Sequence, residues 1–172
     1  MNTISVPVYK ANAQNFCRYG YILQKPVNSE DYQDAECLIW YDLAPRCNFS
    51  MFPNINYYFL KKTVPAITQI FNVATDEAYF NTGGGRLIYF AADSLPDGRP
   101  DISTIKAFCI DGQSLVLKAG VWRTQPFSPD ADNTVLLLMD KNNVYFDENK
   151  NMKRDKTRVV ENNLSDRYIA DL

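Results

Sequence analysis

Residues 86–120 read RLIYFAADSLPDGRPDISTIKAFCIDGQSLVLKAG. Three short runs rich in aromatic and β-branched side chains, RLIYFAAD (86–93), TIKAFCI (104–110) and SLVLK (114–118), are divided by Pro96-Asp97-Gly98-Arg99-Pro100 and by Asp111-Gly112. Each run has the length of a strand, and proline and glycine between them supply the backbone angles of tight turns. The pattern continues on both sides. Upstream lie INYYFLKK (55–62), PAITQIFNV (65–73) and EAYFN (77–81), and downstream TVLLLM (134–139) and NVYF (143–146). Pro53-Asn54, Gly83-Gly84-Gly85 and residues 128–133 punctuate them. No long helical period occurs before residue 155, so the chain is predicted to be an all-β sandwich or barrel.

The 172 residues are expected to form a single domain, 1–172, with a core of its own. Eleven Tyr and ten Phe favour strands over helices. Near the N-terminus, NAQNFCRYGYIL predicts one short helix before a strand, with Asn12 as cap, Phe16 facing inward and Gly20 ending the helix in the left-handed region. ECLIWYDLA (36–44) is a further strand candidate. The polar run DENKNMKRDKTR (147–158) is expected to be an exposed loop, and residues 159–172 a last short helix or strand against the barrel.

A net charge of −2 argues against a nucleic-acid partner. The four cysteines (Cys17, Cys37, Cys47, Cys109) make no CxxC pair and follow no secretory signal, which predicts reduced thiols and a cytoplasmic location. No apolar run approaches bilayer length, so no membrane partner is expected. The chain has no histidine. Ser-His-Asp and Cys-His nucleophiles are therefore excluded in their usual form, as are imidazole metal sites, and no spacing advertises another metal set. GGGR (83–86) lacks the phosphate-loop pattern and precedes a strand, so it reads as a turn.

In LKAGVWRTQPF (117–127) a glycine two residues before tryptophan and a proline after it suggest a tight corner at a barrel mouth. Five segments, in order and at matching spacing, resemble the ureidoglycolate lyase family. NFCRYGYIL is similar to that family's FxxYGxVI, WYDLA to YHDLA, DEAYFNTGG to TQAFIPM plus a glycine, RPDISTIKAF to PDLSTLRAF, and VWRTQPF to VWHHPLF. The resemblance spans roughly residues 14–140 and implies a cupin-like double-stranded β-helix, a jelly-roll barrel that is usually a homodimer and binds its ligand inside the mouth. It also implies a carbon–nitrogen lyase that releases urea and glyoxylate from ureidoglycolate and needs no cofactor.

The polar residues depart from the family. Lys118 stands at a family histidine, Arg123 and Thr124 at the His-His pair, and Asn72 with Val73 at an Arg-His pair, while Gln125 is an insertion before Pro126. Mapped onto lyase chemistry, Lys118, Glu77 and Tyr79 are the candidate catalytic groups, a base and acids. Arg123 is the carboxylate clamp, with Thr124, Gln69 and Asn72 as further binding residues for a small carboxylate. Trp122 joins that set as a platform, with packing at the corner as the plainer reading. Two other readings stand beside the lyase: a degenerate barrel that binds or sequesters a small metabolite, and a structural dimer whose barrel is filled by side chains.

Overall fold

The computed structural model describes residues 1–24, 32–33, 38–39, 44, 47–149 and 152–172. Among these residues the chain is all-β, and one four-residue helix is its only α-helix. Cys37 and most of ECLIWYDLA lie outside the described residues; Leu38–Ile39 of that run pairs with Tyr32–Gln33 in a two-residue ladder.

Numbered along the chain, the strands are β1 (Thr3–Lys10), β2 (Gly20–Leu23), β3 (Tyr32–Gln33), β4 (Leu38–Ile39), β5 (Pro53–Leu60), β6 (Ala66–Val73), β7 (Glu77–Asn81) and β8 (Arg86–Ala92). They continue as β9 (Lys106–Asp111), β10 (Ser114–Leu117), β11 (Trp122–Arg123), β12 (Asn133–Asp140), β13 (Val144–Phe146), β14 (Met152–Arg154) and β15 (Val159–Asp171). The predicted runs between residues 55 and 146 thus all contain strands. Six strands close into a barrel in the order β1-β15-β6-β11-β8-β9, and five form a second sheet, β2-β10-β7-β12-β5.

Period-2 alternation gives each sheet two faces and the molecule two cores. Tyr79, Leu115, Leu137 and Val135 of the five-stranded sheet meet Leu87, Tyr89, Ala91, Phe108 and Ile110 of β8 and β9 in the larger core. The opposite faces of β8 and β9 contribute Ile88, Phe90 and Ala107 to the second, with Val6, Ile67, Trp122, Leu164 and Ala170. Residues 87–92 are buried throughout, because β8 has a core on either side. On β5 the alternation places Tyr58 and Leu60 against the larger core and leaves Ile55, Tyr57 and Phe59 exposed.

The ends of the chain hold the main departures from the sequence reading. TISVPVYK, which carries no predicted element, is β1. It runs parallel to β15 over Thr3–Pro7 and parallel to β9 over Val8–Lys10. Pro7, which has no N–H to give a ladder, sits where the strand changes partner. Residues 159–172, expected as a helix or a strand against the barrel, take the second form: β15 is a barrel strand with a register shift between Asn163 and Tyr168. The expected loop at 147–158 contains β14, which pairs with β13.

The helix, α1 (Ala13–Phe16), begins as predicted: Asn12 Oδ1 accepts from the Gln14 and Asn15 N–H groups, and Asn15 Oδ1 accepts from the Asn12 N–H. Phe16 is buried against Phe108 in an edge-to-face pair with centroids 5.2 Å apart. Gly20 has a different job from the predicted one. It is a strand residue of β2 opposite Leu117, and a Cβ there would lie 1.9 Å from the Val116 carbonyl oxygen. The glycine permits close strand approach and does not end the helix. The GGGR run is a turn, with Gly84 at φ +73°, and its arginine is tied to Asp130 by bonds of 2.6 and 2.5 Å.

At the end of β12, Asp140 is buried and accepts from Arg158 Nη1 at 2.7 Å and from the Asn142 N–H at 2.8 Å. Burial alone would raise this carboxyl, but the Asn142 and Ser50 donors and the Arg158 charge hold it below the ordinary aspartate value. A depressed folded value means that Asp140 contributes stability above its unfolded pKa, ~3.9, and that this is lost as pH falls through the folded value. Asp140→Asn is expected to lower Tm at neutral pH and to flatten the fall of Tm below about pH 4. Thermal melts of both proteins across the acid range check this; parallel curves would show that Asp140 does not carry the acid sensitivity.

Candidate functional site

Register sets the site. Glu77 and Tyr79 share the inward face of β7, with Tyr79 between Leu115 of β10 and Leu137 of β12. The two residues of β11 lie between β6 and β8, where Arg123 is opposite Phe71 and Ala91 and Trp122 is opposite Ala92. Ala91 faces the larger core and Ala92 the smaller, so adjacent residues of the corner point to different interiors.

Arg123 is fully buried and Glu77 is 3% exposed; Nη2 meets Oε2 at 2.7 Å. The Tyr79 hydroxyl donates to the same oxygen at 2.9 Å, and Asn143 Nδ2 donates to Oε1 at 3.4 Å. Arg123 Nη1 donates to the carbonyls of Lys118 and Val121 at 3.2 and 3.3 Å, which anchors the 117–123 corner from inside. Burial, the largest single effect, pulls the guanidinium pKa down, but Glu77 and Tyr79 together outweigh it and the net direction is up, so Arg123 stays charged. Burial, then the nearby Glu77 charge, pushes the hydroxyls of Tyr79, Tyr89 and Tyr58 up. Around this carboxylate the tyrosines are phenols, able to donate and unable to serve as bases at neutral pH.

Above the cluster the space is nearly filled. A cavity of about 10 Å3, lined in part by Glu77, Tyr79, Tyr58, Asn143 and Arg154, has room for about one water. Phe71, Gln125 and Arg154 separate it from an open cleft of about 300 Å3 that also takes in Gln69 and Thr124. Arg154 lies 4.3 Å from the Phe71 ring centre and binds Glu161 Oε1 through Nη1 at 2.5 Å. Gln125 Nε2 reaches the Tyr58 hydroxyl at 3.5 Å, the outer limit of a hydrogen bond.

The candidate residues therefore fall into three places. Glu77, Tyr79 and Arg123 converge inside. Gln69 and Thr124 reach the cleft, although Thr124 Oγ1 already accepts from the Phe90 N–H at 3.1 Å and Gln69 Nε2 donates to Asn163 at 3.2 Å. The rest lie elsewhere. Lys118 Nζ donates to the Cys17 carbonyl at 2.5 Å and sits 4.7 Å from the Tyr21 ring centre, on the outer side of the corner. Asn72 and Trp122 border a separate depression beside Gly98 and Arg99, and the buried indole donates to the Gly98 carbonyl at 3.1 Å. Trp122 is a packing residue of the second core.

Sequence reasoning missed Arg154, Asn143 and Phe71, while Tyr58 belongs to the aromatic run 57–59 that alternation splits between two faces. The arginine stood in a run whose mixed charges signal solvent, and nothing in its composition shows that β14 folds it back over Phe71. Among the described residues no three His, Cys, Asp or Glu side chains gather as a metal site. No helix there is long and apolar enough to cross a membrane. In comparison with known proteins, the chain matches no family model and shows no significant similarity to any curated protein.

Proposed function

We propose that this chain is a cupin-like barrel that binds a small polar carboxylate in the cleft beside Arg154. The observation that carries this reading is the position of Arg154, shared between the cleft and the polar interior, together with its loose engagement. Its bond to Glu161 uses one terminal nitrogen, and the Glu161 side chain is 35% exposed. Partly exposed pairs of this kind hold weakly, so a ligand carboxylate can take the guanidinium fork in a bidentate pair. Gln125 and Gln69 offer amide groups alongside, and about 300 Å3 suits a ligand of metabolite size. Two sheets facing each other across the Tyr79–Tyr89 core favour the cupin reading of the fold; the parallel pairing of β1 with both neighbours is an addition to a jelly roll.

Lyase action on ureidoglycolate is the second reading, favoured by the convergence of Glu77, Tyr79 and Arg123. Binding without turnover ranks first because those groups are already bonded to one another in a space that admits about one water. The test is calorimetric titration with glyoxylate and with ureidoglycolate, run beside an assay for glyoxylate released above the spontaneous rate. Wild type is expected to bind, and Arg154→Ala to bind roughly ten- to a hundredfold more weakly, the loss for a charge-assisted hydrogen bond. Turnover would instead support the lyase. Failure of both probes to bind, or unchanged affinity in Arg154→Ala, would remove the cleft from consideration.

A further inference from the structure

The barrel wall has a gap. Between β6 and β8 it closes only through β11, which is two residues long. β6 pairs with β15 along one edge. On its other edge Phe71, opposite Arg123, is the one residue with a strand partner among the described residues. Residues 124–127 face that edge across the cleft of about 300 Å3. Their own bonds run the other way, to β8: the Thr124 and Phe127 N–H groups donate to the Phe90 and Ile88 carbonyls, and the Ile88 N–H to the Phe127 carbonyl. Pro126 has no N–H to give and cannot carry the ladder begun at Arg123 along β6. Past the gap the walls rejoin, where the Thr63 N–H donates to the Ser128 carbonyl at 2.9 Å. The slot thus has strand backbone on both sides and Arg154 at its Phe71 end, with no other charged side chain among the described residues that line it.

We infer that this slot takes the C-terminal end of an extended peptide, whose main chain adds a strand beside β6 and whose terminal carboxylate pairs with Arg154. The inference rests on the carboxylate reading above and names the class of ligand. Three features select a peptide over a lone small acid. From Ala66 to Ile70 the open edge runs for about 13 Å at ~3.3 Å per residue, far longer than a two-carbon acid such as glyoxylate. Backbone N–H and C=O groups along an open edge need partners, and an extended chain supplies both in alternation, as in strand addition to other sheet edges. A single cation at one end of the slot fits a ligand whose one obligatory charge is a carboxylate at its own end. Glu161, which holds Arg154 Nη1, is the group that carboxylate displaces. With the carboxylate at the Phe71 end, the peptide runs parallel to β6 and antiparallel to residues 124–127.

The experiment passes N-acetylated tetrapeptides, randomised at all four positions, over the immobilised whole chain. The enriched sequences are then titrated by calorimetry as free acids, as C-terminal amides, and with each backbone nitrogen methylated in turn. Free acids are expected to bind about tenfold or more tighter than glyoxylate, through the added main-chain bonds. Loss of the terminal charge in the amide, or of the guanidinium in Arg154→Ala, is expected to weaken binding roughly ten- to a hundredfold, and the amide to bind both proteins alike. Methylation of at least one backbone nitrogen is expected to weaken it roughly five- to tenfold. Methylation changes the ligand alone, so this comparison holds even if Arg154→Ala disturbs the fold. No enrichment, amides that bind as well as acids, or indifference to every methylation would each overturn the inference. Where glyoxylate still binds in an Arg154-dependent way, that result leaves the carboxylate reading standing; where it does not, both fall.

Discussion

Arg123→Ala is expected to destabilise the protein by about 3–5 kcal/mol, the range for removing one partner of a buried ion pair. The variant leaves Glu77 only 3% exposed, without its cation and with just the Tyr79 and Asn143 donors for its charge. It also frees the carbonyls of Lys118 and Val121 and so loosens the corner before β11. Glu77→Leu combined with Arg123→Met removes both charges while keeping the volume, and is expected to recover part of the loss: no buried charge is left unpaired, but the Lys118 and Val121 carbonyls and the Tyr79 and Asn143 donors still lose these bonds. Urea denaturation of the three proteins reads the difference directly. A loss below about 1 kcal/mol in Arg123→Ala, the value of a solvated pair, would show that the pair is not buried in solution. The double variant also separates the two functional readings. A binding cleft built on Arg154 should keep its affinity there, whereas a lyase that uses Glu77 as acid or base should lose turnover.

Gly20→Ala is expected to cost about 3 kcal/mol, at the upper end for an overpacked site. Its Cβ would stand 1.9 Å from the Val116 carbonyl oxygen and 3.0 Å from the Phe16 ring. The first clash is with backbone, which yields only if β2 moves away from β10. That would break the ladder from Leu117–Gly20 onward and disturb the packing of Phe16 on Phe108. Gly84→Ala is the comparison: its φ of +73° strains an L-residue, but nothing lies within 4 Å of the new methyl. A cost of about 1 kcal/mol is expected for the left-handed conformation alone. Equal denaturation midpoints for the two variants would rule out close strand approach as the reason for glycine at position 20.

Fold class was legible wherever the period was local. EAYFN is β7 residue for residue, and RLIYFAAD, SLVLK and TVLLLM fall on strands within two residues of their predicted ends, because alternation and turn chemistry are encoded within a few positions. The capped helix was legible for the same reason: Asn12 and Asn15 meet across three residues. TISVPVYK was not, since what makes it a strand is a pair of parallel neighbours about 100 and 160 residues away, a feature no local window contains. In the mixed-charge run 147–158 the expected exposure holds, since none of the residues described there is buried, but β14 was not legible. Its charges predict solvent, yet pairing with β13 carries Arg154 to Phe71.

The site divides along the same line. The sequence by itself determined that the chain is all-β, that histidine chemistry is absent, and that a polar set near residues 77–79 and 118–125 is the material available for a site. Residue type and short-range period are properties of the chain. Only the tertiary structure decided which of those groups meet. Whether a strand residue faces the core depends on the register of its pairing, and one step moves it to the opposite face. Thus Arg123 reaches Glu77 inside while its neighbour Trp122 packs in the other core and Lys118 turns to the Cys17 carbonyl. The same parity on β5 turns Tyr58, half-buried, to the larger core and leaves Tyr57 to solvent.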